Sequence, residues 1–277
     1  MTTPNSSGPG CAGVCFAMTL FAGALFAGGV AAAQASHPIR LAGIARAADG
    51  RPDLSGIWQA ISTADFDLEP HSTRKDAPPG AGVIEGDSIP YLPSAMKQRQ
   101  ANFAARDKLD PRSQCFTLGV PRDNYYPEPF QILQRPRDLT LIYEFGNSVR
   151  TIHTNGTLHP AGDNPEFWLG DSRGHWEGDT LVVDVTDFTD KTWLDRAGNF
   201  HSDALHVVER WTPLDRDHLE YRATLEDPKV FARPWTLSVI LYRLKDKNIQ
   251  LIENYCYTLD YDKYYPVPGE GLPSGAP

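Results

Sequence analysis

Charge is missing from the start of this 277-residue chain: the first 35 residues hold no Asp, Glu, Lys, Arg or His. Within them "CFAMTLFAGALFAGGVAAAQA" is apolar and closes on Ala33-Gln34-Ala35, the small-x-small pattern that a signal peptidase cuts, here before Ser36. A positive n-region is also missing, so an uncleaved anchor competes with a cleaved signal. The run approaches the ~20 apolar residues that span a bilayer, yet its Ala and Gly content makes it weakly hydrophobic, and cleavage is the expectation. No later run is long and apolar enough to span. Residues 1–35 are thus read as a signal peptide. Residues 36–277 are read as one β-rich domain with an irregular N-terminal segment and a flexible C-terminal tail, in the periplasm or secreted.

Cysteine is scarce, at four. Cys11 and Cys15 leave with the signal, and no CxxC redox or zinc motif remains. Cys115 and Cys256 are the one pair left in an oxidising setting, and a disulfide between them is expected; two buried thiols are the alternative. Basic charge is scarce too: 26 Lys and Arg against 35 Asp and Glu give a net charge of -9 and no basic run, which argues against a nucleic-acid partner. The G-x-S-x-G elbow, HExxH, the P-loop and the dinucleotide fingerprint are all absent. So is the H-x-H pattern by which a strand presents zinc ligands. No cofactor and no metal is expected.

What is present is β-structure. From Phe130 onward, "FQILQ", "LTLIYEF", "SVRTIHT", "TLVVDVTDF", "LHVVERW", "HLEYRATLE", "WTLSVILYRL" and "IQLIENYCY" are short runs rich in β-branched and aromatic residues, separated by turn signals. Leu139, Leu141, Tyr143 and Phe145 share one face, as do Leu219, Tyr221, Ala223 and Leu225. Such spacing predicts a mainly β protein, an antiparallel meander forming a barrel or barrel-like sheet. "GIWQAIS" adds an earlier strand. "PSAMKQRQANFAARDKL", with Pro93 in its first turn and Asp110-Pro111 after it, predicts one flanking helix.

The chemistry-bearing residues gather in three stretches. In "RTIHTNGTLHP", Asn155-Gly156 favours a two-residue hairpin. That would set Ile152 against His159 and His153 against Leu158, placing the two histidines on opposite faces. In "TLVVDV", Asp184 stands in mid-strand, where Asp is uncommon; it is either solvated or orients a histidine. In "TWLDRAGNFHSDALHVVERW", alternation puts His206, Val208 and Arg210 on one face and Leu205, Val207, Glu209 and Trp211 on the other. A polar loop carrying Trp193, Asp195 and His201 precedes that strand. It is either a binding loop or a packed Ω-type loop.

Taken in order, "RPDLSGIW", "ANFAARDKLDPRSQCFTLGVPR", "PFQILQ", "GHWEGDTLVVDVTDF", "TWLDRAGNFHSDALHVVERW", "EDPKVFARPWT" and "ENYC" resemble a family of exported bacterial proteins of unknown function. Its motifs are PDLSG-W, C-x-P-x-G-x-P-R and WEGDTLVVD, and Thr117 stands where the second has proline. The resemblance implies export and a shared β fold and carries no catalytic role. The residues themselves point to a small-molecule enzyme using histidine acid–base chemistry for elimination, isomerisation or hydrolysis. His201, His206, Asp195, Asp184 and His153 are the expected catalytic groups; Trp193, Arg210 and His159 are the expected substrate contacts. The alternatives are a carrier of a small apolar ligand and an envelope interaction protein.

Overall fold

A computed structural model describes residues 43–86, 88–161 and 166–254. The expected signal peptide, Cys11, Cys15, Ser36, Cys256 and the C-terminal tail lie outside the described residues. Nine strands follow chain order: β1 (Gly56–Ala60), β2 (Phe130–Arg135), β3 (Asp138–Tyr143), β4 (Val149–His153), β5 (Asp171–Glu177), β6 (Thr180–Thr186), β7 (His206–Pro213), β8 (His218–Glu226) and β9 (Trp235–Arg243). Each pairs with the next, and β9 returns to β1 through Trp58↔Arg243, so the sheet closes into a barrel. Closure removes the exposed edges that a sheet of this length would otherwise carry.

The alternation selects the lumen side. Leu139, Leu141 and Tyr143 of β3 are buried, and Leu219, Tyr221, Ala223 and Leu225 of β8 are wholly so. A one-residue register slip would turn each column outward, so burial fixes the pairing. Leu54, Ile132, Leu139, Leu141, Ile152, Leu181 and Trp211 enclose a space too small for a water molecule. Fully burying a side chain of this kind contributes ~1.5–3 kcal/mol, and here that energy comes from side chains filling the lumen.

One pair is parallel. β4 meets β5 through Ile152↔Ser172 and His153↔Arg173, and a parallel neighbour needs a crossover. This corrects the hairpin expected at Asn155-Gly156. Asn155 instead makes a local turn, its Oδ1 accepting from Thr157 N at 3.0 Å and Thr157 Oγ1 at 2.6 Å. The sequence after it, "TLHPAGDNP", has prolines at 160 and 165, which cannot donate to a ladder. The strand expected from "IQLIENYCY" also needs correction. In its described part, Asn254 makes only an isolated bridge to Phe145, and Ile252 is exposed.

Helix α1 (Pro93–Leu109) flanks the barrel with Pro93 in its first turn. It rests on the 190–205 loop at Gly198, where Asn102 Nδ2 donates to the Gly198 carbonyl at 3.2 Å. Gly198 has φ +80°, and a Cβ there would come within 2.7 Å of Phe103 N, so only glycine fits. A second short helix, α2 (Arg122–Tyr125), is buried along its whole length. The expected Cys115–Cys256 disulfide does not fall within the described residues, which hold Cys115 alone of the four cysteines. Cys115 is not a free thiol, and Cys256 lies outside them.

Candidate functional site

Strands β5, β6 and β7 place a polar cluster on the outer face of the barrel. Their alternate residues Ser172, Val183, Val185 and Val207 are buried in the lumen, so Asp171, Arg173, Asp184, Thr186 and His206 point outward. Register brings them together: Asp171 lies opposite Thr186, and Arg173 opposite Asp184. Val207 faces Val185, so His206 falls one step further, beside Thr186. The β4–β5 crossover then delivers His159 above these strands.

One carboxylate oxygen serves two imidazoles: Asp184 Oδ1 is 3.1 Å from His159 Nε2 and 3.2 Å from His206 Nε2. The other nitrogen of His159, Nδ1, is 2.6 Å from Asp171 Oδ1 and 3.2 Å from Thr186 Oγ1. Arg173 holds Asp171 in a fork, Nε to Oδ1 at 2.6 Å and Nη2 to Oδ2 at 2.7 Å. Its Nη1 donates to Thr157 Oγ1 at 2.6 Å and ties the crossover down. Burial works against the Asp171 charge, but the Arg173 and His159 hydrogen bonds outweigh it and hold this carboxyl below its usual range. Asp187, at φ +60°, accepts from Thr186 Oγ1 at 3.0 Å. His159, Asp171 and Asp187 are all half-buried and offer ligand-type atoms within 4.8 Å of one another.

A groove of about 300 Å³ abuts the cluster, lined by Val149, Thr151 and His153 of β4 and by Phe167, Trp168 and Asp171. Phe116 packs against Trp168 with ring centroids 5.1 Å apart. Asp171 therefore belongs to both the groove and the histidine cluster. A carboxylate shared by two partly exposed imidazoles can fix the tautomer of each, which is what histidine proton transfer requires.

The residues expected from sequence divide. His206 and Asp184 meet, and His159 joins them; His153 lines the adjoining groove. His201 is elsewhere, and its expected partnership with His206 is corrected. It is buried in the loop, with Nδ1 donating to the Ser202 carbonyl at 2.9 Å and Nε2 accepting from Thr192 Oγ1 at 2.7 Å. Burial lowers its pKa, and both nitrogens are occupied by neutral groups. Asp195 is also a structural residue. Wholly buried, it accepts from the backbone N–H groups of Leu68, Ala197 and Asn199. Burial, then the Asp67 carboxylate, pushes its pKa up. Trp193 is half-buried in this pinned loop, its backbone bridged to Phe200. Arg210 lies further along β7 and donates to Glu177 Oε2 at 2.8 Å on the surface. Asp171, Arg173, Thr186 and Asp187 carry no sequence signal of their own, because their partners come from a crossover and three strands.

A second polar group lies inside the barrel. Glu209 is wholly buried and takes a bidentate contact from Arg150, Nη1 to Oε1 at 3.0 Å and Nη2 to Oε2 at 2.6 Å. Tyr221 Oη and Asn124 Nδ2 donate to the same Oε1 at 2.8 and 3.0 Å. The apolar column Leu205, Val207, Trp211 is the signal that could have placed Glu209 there. Next to Asn124, burial pushes Asp123 up to about 7 despite a Thr117 hydroxyl bond and the nearby Arg122 and Arg150. A raised carboxyl means that the folded state holds a proton the unfolded chain has released. Stability therefore falls as pH rises between about 4 and 7, by at most ~1.4 kcal/mol per unit. Asp123→Asn should remove that slope and leave the variant more stable than wild type at pH 8. Urea unfolding across pH 4 to 8 measures this, and parallel curves for the two proteins would refute it.

Against family models, curated proteins and solved structures alike, the chain finds no match.

Proposed function

We propose that the protein is an exported small-molecule enzyme whose acid–base centre is the His206–Asp184–His159 cluster. The observation that carries this reading is the shared oxygen of Asp184, which holds two imidazoles in a cluster whose Asp171 also lines a groove. His206 is the proton-transfer group. With Nε2–H donating to Asp184, its Nδ1 is left to take or return a proton, and its partial exposure gives substrate access. Asp184 sets the tautomer. Trp168, Phe167 and His153 contact the substrate. Export follows from the Ala33-Gln34-Ala35 pattern and from the family resemblance. The packed lumen gives an apolar ligand no room among Leu54, Ile132, Leu141 and Trp211, which weighs against a carrier that loads the barrel there.

Untargeted mass spectrometry on a small-molecule mixture, before and after incubation with purified protein, tests the reading. At least one mass should be converted to another. A proton-transfer group contributes about 10²- to 10⁴-fold in rate, so His206→Ala and Asp184→Asn should each slow the conversion by that order with circular dichroism unchanged. Conversion at the wild-type rate in both variants would exclude the cluster. A co-purified molecule released unchanged would make the protein a carrier.

A further inference from the structure

We infer that the Nδ1 side of His159 is a divalent-cation site, with Asp171, Asp187 and Thr186 as its other protein ligands. The inference deepens the acid–base reading by adding a cation to the same cluster, and binding rather than turnover measures it.

The first argument is the hydrogen count. His159 faces a carboxylate oxygen from each nitrogen, Asp171 at 2.6 Å and Asp184 at 3.1 Å. Neutral imidazole has one N–H and can satisfy only one of them. With Nε2–H donating to Asp184, Nδ1 presents a lone pair to the carboxylate of Asp171. In that tautomer two lone pairs face each other there; a second proton on the ring removes the conflict by donating to Asp171, and a metal cation in the proton's place removes it equally.

The second argument is spacing. An octahedral ion with bonds of ~2.1 Å sets neighbouring ligand atoms ~3.0 Å apart. His159 Nδ1 to Asp171 Oδ1 is 2.6 Å, Nδ1 to Thr186 Oγ1 is 3.2 Å, and Thr186 Oγ1 to Asp187 Oδ2 is 3.0 Å. These are edges of such a polyhedron after shifts of a few tenths of an ångström.

The third is the outer shell. A metal-bound histidine donates its remote N–H to a carboxylate, and ligating carboxylates are themselves hydrogen-bonded. Asp184 stands in the first of these places and Arg173 in the second. One imidazole with carboxylate and hydroxyl oxygens suits an ion such as Mn²⁺. Bound there, the cation would fix His159 and, through Asp184, the tautomer of His206.

The test uses the full chain, stripped with EDTA and dialysed, with Mn²⁺ added and the free ion followed by electron paramagnetic resonance. One Mn²⁺ should be taken up per chain. His159→Ala and Asp187→Asn should each weaken binding at least tenfold, and asparagine tolerates the left-handed backbone at position 187. Asp184→Asn, which changes the partner behind His159 and none of the ligand atoms, should weaken it about 10- to 100-fold. Circular dichroism checks that each variant is folded. Mn²⁺ left free at millimolar concentration, or bound equally by folded His159→Ala and Asp187→Asn, overturns the site. Turnover with no Mn²⁺ uptake would remove the cation and leave the acid–base reading standing; a bound ion without turnover would do the reverse.

Discussion

Arg122→Met should cost about 3–5 kcal/mol at pH 7, a large share of the ~5–15 kcal/mol that holds a typical domain together. Arg122 is wholly buried in α2 and spans two carboxylates that are also buried: Nε donates to Asp65 Oδ1 at 2.8 Å, Nη1 to Asp110 Oδ1 at 2.9 Å and Nη2 to Asp110 Oδ2 at 3.1 Å. Methionine fills much of the volume but strands both anions. Asp65 keeps Arg196, and Asp110 keeps the backbone N–H of Arg112. The pH dependence identifies the mechanism. In wild type, burial raises the Asp110 pKa, and the Arg122 charge and hydrogen bonds more than reverse this, so the group titrates below its usual range. Its stabilisation is present above the unfolded value of ~3.9 and is lost as pH falls through the folded value. In Arg122→Met, burial acts with little opposition and Asp110 can take up a proton instead. The deficit of the variant should therefore shrink as pH falls into the carboxylate range. Urea unfolding of both proteins at pH 7 and pH 4 measures the two deficits. Equal deficits would mean that the loss is one of packing, not of charge.

Glu209→Ala should be comparably damaging, by ~3–5 kcal/mol, because it leaves the Arg150 guanidinium in the lumen without its carboxylate. It also removes the acceptor for Tyr221 and Asn124. The double variant Glu209→Leu with Arg150→Met should recover much of the loss. A buried pair replaced by apolar side chains avoids the desolvation of both ions, and what remains is the unsatisfied hydroxyl and amide, ~1–3 kcal/mol each. The expected coupling energy is at least ~2 kcal/mol by double-mutant cycle. Additive single variants would show that the two charges do not depend on each other. The pair joins β4 to β7 across the lumen, so its loss should also loosen β4, which touches β5 at only two register positions.

Much of this molecule is written in local alternation. The columns Leu139, Leu141, Tyr143 and Leu219, Tyr221, Ala223, Leu225 determine which side of each strand is buried, because side chains alternate at a period of two and only one side of a closed sheet excludes water. The same rule turns His206 and Asp184 outward and Glu209 inward, and Pro93 and Asp110-Pro111 bound helix α1. Tertiary structure alone decided the rest. Asn155-Gly156 reads locally as a hairpin, yet the chain crosses over and returns parallel, and Pro160 and Pro165 beyond the turn have no N–H to donate to a ladder. That crossover is what carries His159 to Asp171 and Asp184, and no local pattern encodes the landing point of a crossover. His201 and Asp195 stand near His206 in sequence but are drawn into the loop by buried backbone donors and a threonine hydroxyl that require partners. Sequence therefore determined the face on which each strand residue sits. Which residues meet across that face was decided by long-range closure of the barrel, where burial of the whole sheet outweighs the preference of any one turn.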